Sequence, residues 1–328
     1  YFYMVETKKN HYVPAFTNFA WKDKNQDWKF KTYTKKNGQI VEHKNSVGKR
    51  KWGYEDYFYS QALEDLFRDE IDTPCGDLYK KLINQEILTY AERVKWSQFL
   101  ITQAIRTPLF LKYRQKAGTF ENQKFEFDES IIGCIHCEEN KLIADRNWII
   151  LKAHEEDYFI RTDNPVYMTG FIENDTTTIF YPLTPSLCFV ACSVVPLQKL
   201  MGLQPQQQYL QLEKGDAYAI DFEILKSAHQ TVILRDEHNS FFSNHLIKST
   251  LGVFPQIPYL MMSASDGIAE YEATKQLTHL MSITDEKEYP LVRDYPFNPF
   301  YGAEFSMGIN PFSVFGVTSD RLPKLEED

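Results

Sequence analysis

Part of the N-terminal fifth of the chain alternates between bulky and polar side chains, as a strand with one buried face does. The alternation covers residues 28–34, and residues 39–42 return the chain after a short break. Asn37-Gly38 in that break supplies the positive φ angles that a two-residue hairpin turn needs. The pattern therefore predicts an N-terminal β-hairpin over residues 28–42.

From Tyr59 the hydrophobic period changes from that of a strand to that of a helix, and we expect helices over residues 59–115. Apolar residues in the range 63–71 form a first helical stripe, and Asp72-Thr73-Pro74 resembles the N-cap of a second, short helix. Thr89-Tyr90-Ala91-Glu92 is a capping box, which predicts the start of a third helix. Pro108 is expected to end that helix.

The second half of the chain has the patterns of strands joined by turns. We predict a second hairpin from residues 148–152 and 158–161, and two strands over 180–183 and 187–195. Together these elements predict an α+β fold with an N-terminal β-hairpin, a central helical bundle and a mostly antiparallel sheet with a C-terminal helix over 147–254. We expect residues 1–255 to form a single domain and residues 256–328 to be a C-terminal extension packed on its core.

Composition supports a folded protein without naming a ligand. The 328 residues are 43% hydrophobic and 25% charged with a formal net charge of −9, which excludes global disorder and a collagen-like fibre. Five cysteines are an odd number in a chain long enough to fold without disulfides, so mostly free thiols are expected. The first ten residues lack the pattern of a signal peptide, and the uncharged stretch 176–198 contains three prolines. We therefore expect a cytoplasmic protein that does not cross a membrane.

Charge is distributed unevenly along the chain. Residues 1–55 carry twelve Lys and Arg against five Asp and Glu, a net charge of +7, while the rest carries −16. Aromatic residues between these basic positions, including Trp21, Tyr33 and Trp52, could stack on bases, which favours nucleic acid as a partner. The alternative is a solvated hairpin whose lysines protect an edge strand from pairing with other chains.

The third predicted helix carries an unusual pair of polar residues. Steps of three and four from Trp96 reach Phe99, Gln103 and Arg106, so an amide and a guanidinium follow two aromatic residues on one face. A buried arginine needs carboxylate or carbonyl partners. Glu70 and Asp163 are the candidates, and a purely structural network is the alternative.

Two short motifs supply further candidate residues for the same site. His11-Tyr12-Val13-Pro14 places an imidazole beside a turn-forming proline, where it could transfer a proton near neutral pH. Thr162-Asp163-Asn164-Pro165 directly follows a predicted strand, although Asp-Asn-Pro is also ordinary turn chemistry. Glu70 and Asp163, with His11 and Asn244, would suit Mg²⁺ or Mn²⁺.

Taken together, these motifs resemble a bacterial family of unknown function, DUF4238. The resemblance covers residues 8–255 and rests on His-Tyr-Val-Pro at 11–14, Gln-x-x-Arg-Thr-Pro at 103–108 and Thr-Asp-Asn-Pro at 162–165. It also includes Glu70 on an acidic helix and Asn244. The family brings no established reaction, so the resemblance implies only which positions belong together.

The favoured hypothesis is a metal-dependent phosphodiester hydrolase of a nuclease-like kind. Its catalytic residues would be His11, Arg106, Asp163 and Asn164, its metal ligands Glu70 and Asp163, and its substrate-binding residues Tyr12, Gln103, Thr162 and Asn244. Here the metal would be held by carboxylates and Arg106 would stabilise phosphoryl charge.

Two alternatives remain open at this point. Glu70 and Asp163 could instead form the carboxylate pair of a retaining glycoside hydrolase. The other alternative is a non-enzymatic binding or regulatory module with a structural polar cluster.

Phosphate-binding glycine loops, G-x-S-x-G and H-E-x-x-H motifs are missing from the sequence. Cys134 and Cys137 have the spacing of only half a zinc site.

Overall fold

The structure is a computed structural model that describes most of the first 252 residues. The described residues are 9–22, 29–48, 52–56, 59–111, 131–133, 135–136, 139–169, 172, 177–192, 207–234, 247–248 and 250–252. Asn244, Cys134, Cys137 and the predicted extension 256–328 lie outside them. The division into a domain and an extension therefore stays a prediction.

The described residues include eleven strands and six α-helices, which are numbered in chain order. The strands are β1 Lys9–His11, β2 Lys29–Lys36, β3 Gln39–Gly48, β4 Tyr54–Asp56, β5 Asn147–Lys152, β6 Arg161–Thr162, β7 Tyr167–Met168, β8 Ile179–Thr184, β9 Leu187–Cys192, β10 Gln207–Gln211 and β11 Thr231–Leu234. The helices are α1 Ala15–Asn18, α2 Gln61–Leu66, α3 Thr73–Ile83, α4 Tyr90–Ile105, α5 Glu139–Ala144 and α6 Asp216–Ser227. A 3₁₀ turn, Phe19–Trp21, follows α1, and a π turn, Phe67–Asp72, joins α2 to α3.

The N-terminal hairpin is confirmed and is longer than predicted. β2 and β3 pair antiparallel, and Asn37 (φ 51°) with Gly38 (φ 76°) makes the turn between them. The hairpin does not stand alone, because β2 also pairs with β11, and β11 pairs with β6. The resulting four-stranded sheet has the order β3-β2-β11-β6, with β3 at its edge.

The second predicted hairpin is wrong. β5 pairs with β9 and, in parallel, with β10, whereas Arg161 belongs to β6 in the other sheet. Strand periodicity identifies a strand but does not choose its partner. The strands around Thr184-Pro185-Ser186 are confirmed as the antiparallel pair β8 and β9, within a five-stranded sheet of order β10-β5-β9-β8-β7.

The five-stranded sheet is buried on both faces, which explains the unbroken apolar run in β5. Ile150 packs among the residues of α2, α3 and α4, while Ile149 and Leu151 pack on the other face with α6 and the four-stranded sheet. Strands covered on both faces lose the alternation of polar residues. The helices, the sheets and their order confirm the predicted α+β class.

Three free cysteines, Cys75, Cys188 and Cys192, are buried in this structure.

The helical segment before α4 differs from its prediction. The sequence predicts two helices with Asp72 as the N-cap of the second, but residues 61–83 run on as α2, the π turn and α3. Asp72 has helical backbone angles, and its side chain makes no capping hydrogen bond. Pro74 lies directly after the π turn, at the start of α3. The Asp72 carboxylate is thus available for another partner.

The capping box of α4 is confirmed, and it supplies a first testable prediction. Thr89 Oγ1 accepts from the Glu92 N–H, and the Glu92 carboxylate accepts from the Thr89 N–H at 2.8 Å. Thr89→Ala is expected to lower the free energy of unfolding by about 1 kcal/mol, measured by urea denaturation. Thr73→Ala, at an exposed position, is the control and is expected to change it by less than about 0.5 kcal/mol. Equal effects of the two substitutions would contradict the role of the cap.

Candidate functional site

Arg106 is completely buried at the C-terminal end of α4 and is held by a carboxylate. Its Nη1 and Nη2 each donate to one carboxylate oxygen of Asp72 at 3.0 Å. Its guanidinium carbon also lies 5.5 Å from the centre of the Phe67 ring. Bidentate pairing of this kind fixes the orientation of both groups. The arginine therefore has a partner, and that partner is Asp72 rather than Glu70 or Asp163.

The π turn decides which carboxylates share a face with Arg106. One α-helical turn followed by one wider π turn spans about eight residues, which is the separation of Glu64 and Asp72. Glu64 accepts a hydrogen bond from Asn10 Nδ2 at 3.3 Å. Both side chains are only partly exposed. The π turn thus aligns two carboxylates along the helix, and π turns of this kind often occur at functional sites.

Strand β1 brings His11 to these carboxylates. His11 is half-buried and lies close enough to Asp72 to lower the pKa of that carboxyl. The Tyr59 hydroxyl donates to the His11 backbone oxygen at 3.1 Å, and Asn10 Oδ1 accepts from the Tyr59 N–H at 3.4 Å. We call this group the Arg106 cluster; its members are Asn10, His11, Tyr59, Glu64, Asp72 and Arg106.

Two groups of the Arg106 cluster have perturbed acidity. Burial raises the pKa of the Asp72 carboxyl, and Arg106 and, when it is protonated, His11 oppose the rise. Burial and the nearby Glu64 raise the pKa of Tyr59 well above its ordinary value. Tyr59 therefore remains a neutral donor at physiological pH. The cluster combines a partly exposed imidazole with a carboxylate that an arginine holds in place.

The Asp163-Asn164 loop makes a different set of contacts. Asp163 Oδ1 accepts from the His229 N–H at 3.0 Å, and Oδ2 accepts from the N–H groups of Gln230 and Thr231 at 2.8 and 3.1 Å. Asn164 Nδ2 donates to the Ser227 backbone oxygen at 3.0 Å. This loop therefore binds the segment between α6 and β11.

Burial raises the pKa of Asp163 to about 7, although the three backbone N–H groups oppose the rise. The carboxylate also contributes, after burial, to the raised pKa of Tyr12, so these two side chains lie close to one another. Tyr12 is buried. The oxygens of Asp163 are thus occupied by the backbone of a neighbouring segment.

The remaining predicted site residues are dispersed. Gln103 is completely buried on α4, and neither atom of its amide has a hydrogen-bond partner among the described residues. Thr162 Oγ1 donates to the Asn164 backbone oxygen at 2.8 Å, as ordinary turn chemistry. Glu70 is 54% exposed, and its carboxylate lies 3.8 Å from His136. Glu70 makes none of the Arg106 contacts, because its helical position faces solvent.

The structure does not group Glu70 with Asp163 as ligands of one metal ion. Across the described ranges, no three His, Cys, Asp or Glu side chains are arranged as metal ligands would be. Glu70 pairs with His136, and both oxygens of Asp163 accept from backbone. The prediction of Mg²⁺ or Mn²⁺ therefore has no ligand set in this part of the chain, and it stays a prediction.

Two residues that the sequence patterns do not single out are central to the buried polar interior. The pattern around Asp72 predicts only a helix cap, and Arg161 marks only the end of a predicted strand. Arg161 is completely buried and donates to Thr17 Oγ1 at 2.9 Å and to Tyr181 Oη at 2.6 Å. An arginine at the end of an otherwise apolar predicted strand is the signal that could have identified it.

The aromatic residues of the basic segment belong to the core. Trp21, Tyr33 and Trp52 are buried, so they present no face on which a base could stack. Lys31 lies 3.8 Å from Glu42, and Lys35 Nζ donates to the Gly252 backbone oxygen at 2.9 Å. Both lysines lie on β2, which pairs on both sides, so these contacts do not test whether lysines protect the edge strand β3.

The order of these features along the chain matches a known family. The family model described as "Protein of unknown function (DUF4238)" matches residues 9–238, more than two thirds of the chain. The chain belongs to the DUF4238 family. The Arg106 cluster and the Asp163-Asn164 loop both lie inside the matched range of this DUF4238 protein, whereas Asn244 lies beyond it.

Other comparisons add no relative of known activity. No curated protein and no solved structure shows a significant match to this DUF4238 protein. Among the helices that the structure describes, each is too short or too polar to cross a lipid bilayer. The geometry of the side chains is therefore the basis for assigning an activity.

Proposed function

We propose that this DUF4238 protein hydrolyses phosphodiester bonds, with His11 as the residue that transfers the proton. The observation that carries the proposal is the partly exposed imidazole beside Asp72, a carboxylate that Arg106 binds through two hydrogen bonds. A carboxylate next to a histidine orients the ring and stabilises its protonated form. This arrangement supports general acid–base catalysis.

The proposed reaction needs one proton acceptor and one proton donor. Water attacks phosphorus, its proton passes to the His11 imidazole, and the P–O bond to the leaving oxygen breaks as that oxygen takes a proton from solvent water. The imidazolium then releases its proton to solvent. Asp72 stabilises the imidazolium that forms, and Arg106 keeps Asp72 in position. Arg106 is therefore a positioning residue here, since its guanidinium is buried and bound to Asp72.

The choice of a phosphodiester rests on charge. Residues 1–55 carry a net charge of +7 in a chain whose total is −9, and His11 lies within that positive segment. A segment with a positive net charge attracts polyanions and raises their rate of association. Nucleic acid is accordingly the proposed substrate class.

The test compares the wild-type full chain with His11→Ala on bis(4-nitrophenyl) phosphate and on a labelled single-stranded oligonucleotide. Loss of a general base is expected to lower kcat by about 100-fold or more, while Tm stays close to wild type because His11 is partly exposed. His136→Ala, a histidine outside the Arg106 cluster, is the control and is expected to keep full activity. Each assay is run with Mg²⁺, with Mn²⁺ and with EDTA, which also tests the predicted metal requirement.

Two outcomes would contradict the proposal. One is a wild-type protein that hydrolyses neither substrate under any of the three conditions. The other is a His11→Ala variant that is as active as His136→Ala.

A second candidate function is a non-enzymatic binding or regulatory module, and the Asp163 contacts favour it. A buried carboxylate that accepts three backbone N–H groups connects two segments far apart in sequence, as a structural clamp does. In such a module, substitutions in both polar clusters would lower stability and no hydrolysis would be measured. The His11→Ala experiment therefore separates the two functions.

A further inference from the structure

Arg161, the first residue of β6, lies in the interior between aromatic rings. Its Nη1 donates to the Pro182 backbone oxygen, and its Nη2 donates to Thr17 Oγ1 and to Tyr181 Oη. The guanidinium carbon is 4.4 Å from the centre of the Tyr181 ring and 5.5 Å from that of Trp21. The side chain is completely buried, so water does not solvate its charge.

Every acceptor around Arg161 is an uncharged oxygen. Within the described ranges, no carboxylate lies within ion-pair distance of Arg161, whereas the other fully buried arginine, Arg106, is paired with Asp72. A buried charge without a counter-charge costs several kcal/mol. One positive charge in this interior is therefore uncompensated by the described side chains.

Buried hydrogen-bonding groups of Arg161 and Gln103 remain unused in the interior that contains Tyr181. Arg161 Nε has no partner, and both amide atoms of Gln103 lack partners among the described residues. Tyr181 Oη accepts from Arg161, and its own hydrogen meets no acceptor in the described ranges.

These groups belong to the same part of the interior. The Phe99 ring lies 5.9 Å from that of Tyr181, and Gln103 follows Phe99 by one helical turn. Arg106, one turn further on, interacts electrostatically with Tyr181. Gln103 and Arg161 thus lie on two elements, α4 and β6, that pack against the Tyr181 ring.

We propose that Arg161, Tyr181 and Gln103 form an internal binding site for a small inorganic monoanion of the chloride type. The ligand is an anion because the unbalanced charge of Arg161 is positive and its unused N–H is a donor, as are the Tyr181 O–H and the Gln103 NH₂. Within the described ranges, Gln103 Oε1 is the one unused acceptor among these three side chains. It carries one charge because Arg161 contributes one unbalanced positive charge. It is small because all three side chains are completely buried.

Arg93 provides a matched control. Its Nε and Nη2 donate to the Ala144 backbone oxygen at 2.9 and 2.7 Å, and Nη2 also donates to the Arg146 backbone oxygen. This buried arginine binds backbone oxygens and lies over the Trp148 ring at 4.1 Å. It is a structural clamp, and its Nε has a partner where the Nε of Arg161 has none among the described residues.

The first experiment measures the Tm of the full chain in sodium bromide and in sodium gluconate at equal ionic strength. Bromide fits a chloride site and gluconate does not. Wild type is expected to unfold about 3 °C higher in bromide, because a ligand that binds only the folded state stabilises it. Arg161→Met and Tyr181→Phe are expected to lose this difference, while Arg93→Met retains it.

The second experiment locates the anion directly. Crystals of the full chain grown in sodium bromide are expected to show an anomalous scattering peak within hydrogen-bond distance of Arg161 Nε. Equal Tm values of wild type in the two salts, or no anomalous peak at Arg161, would each overturn the proposal. Both readouts use wild type, so they decide the matter even if Arg161→Met does not fold. Neither depends on phosphodiester hydrolysis.

Discussion

Asp72→Asn is expected to lower the free energy of unfolding by about 3–5 kcal/mol, which is the typical cost of removing the charge of one partner in a buried ion pair. The substitution keeps the size of the side chain but removes the charge that balances Arg106. Arg106 is completely buried, while the Asp72 side chain is 23% exposed, so the arginine cannot reach water when its partner is neutralised. Urea denaturation at neutral pH measures the loss.

The same turn offers a control for this experiment. Asp69 pairs with Arg68 at 2.8 Å, but both side chains are more than half exposed, and Asp69→Asn is expected to cost far less than Asp72→Asn. The double variant Asp72→Asn/Arg106→Met is expected to recover much of the loss, because it leaves no unpaired buried charge. Similar costs for Asp72→Asn and Asp69→Asn would show that the Arg106 pair is not a buried pair in solution.

Asp163→Asn is expected to destabilise the protein by about 3 kcal/mol at pH 5. Three backbone N–H groups of residues 229–231 point at the two oxygens of this side chain. An amide nitrogen cannot accept a hydrogen bond, whereas both oxygens of a carboxyl can, even when one is protonated. At least one buried donor is then left without a partner, which costs about 1–3 kcal/mol for each such group.

The effect of Asp163→Asn is also expected to depend on pH. Burial raises the pKa of Asp163 in the folded protein to about 7 from an ordinary value of 3.8. Between these values the folded state binds one more proton than the unfolded state, so the wild-type contribution falls as pH rises from 4 to 7 and levels off above 7. The stability difference between wild type and Asp163→Asn is therefore expected to be largest at pH 5 and to shrink toward pH 8.

Urea denaturation of both proteins at pH 5, 6, 7 and 8 measures this difference. Asp77 has a side chain that is 79% exposed and pairs with Lys80, so Asp77→Asn is the control and should show no such trend. A difference that is constant across the series, or that grows toward pH 8, would mean that Asp163 is ionised throughout in the folded protein.

Local patterns predicted the elements that local physics controls. The α4 helix follows from its capping box and its apolar stripe, and the stripe also indicated that Arg106 would point toward the core. The turn at Asn37-Gly38 follows from the positive φ angles that these two residues adopt most readily. Each of these predictions depends on residues within one or two turns of each other.

The partner of Arg106 illustrates what local patterns missed. Asp72-Thr73-Pro74 has the composition of a helix start, and the sequence provides no sign that a π turn continues the helix through it. Because the π turn changes the angular position of every following residue, it brings Asp72 and Glu64 onto one face and leaves Glu70 toward solvent. The predicted acidic partner was therefore on the right helix but in the wrong register.

From the sequence alone came the α+β class, the N-terminal hairpin, the α4 helix and the DUF4238 resemblance, because each depends on neighbouring residues or on the order of short motifs. Tertiary structure decided that Arg106 binds Asp72, that Asp163 binds residues 229–231 and that Arg161 is enclosed without a carboxylate among the described residues. The first two pairings join residues 34 or more positions apart. Strand order and helix register determine such contacts, and neither is encoded in a local period.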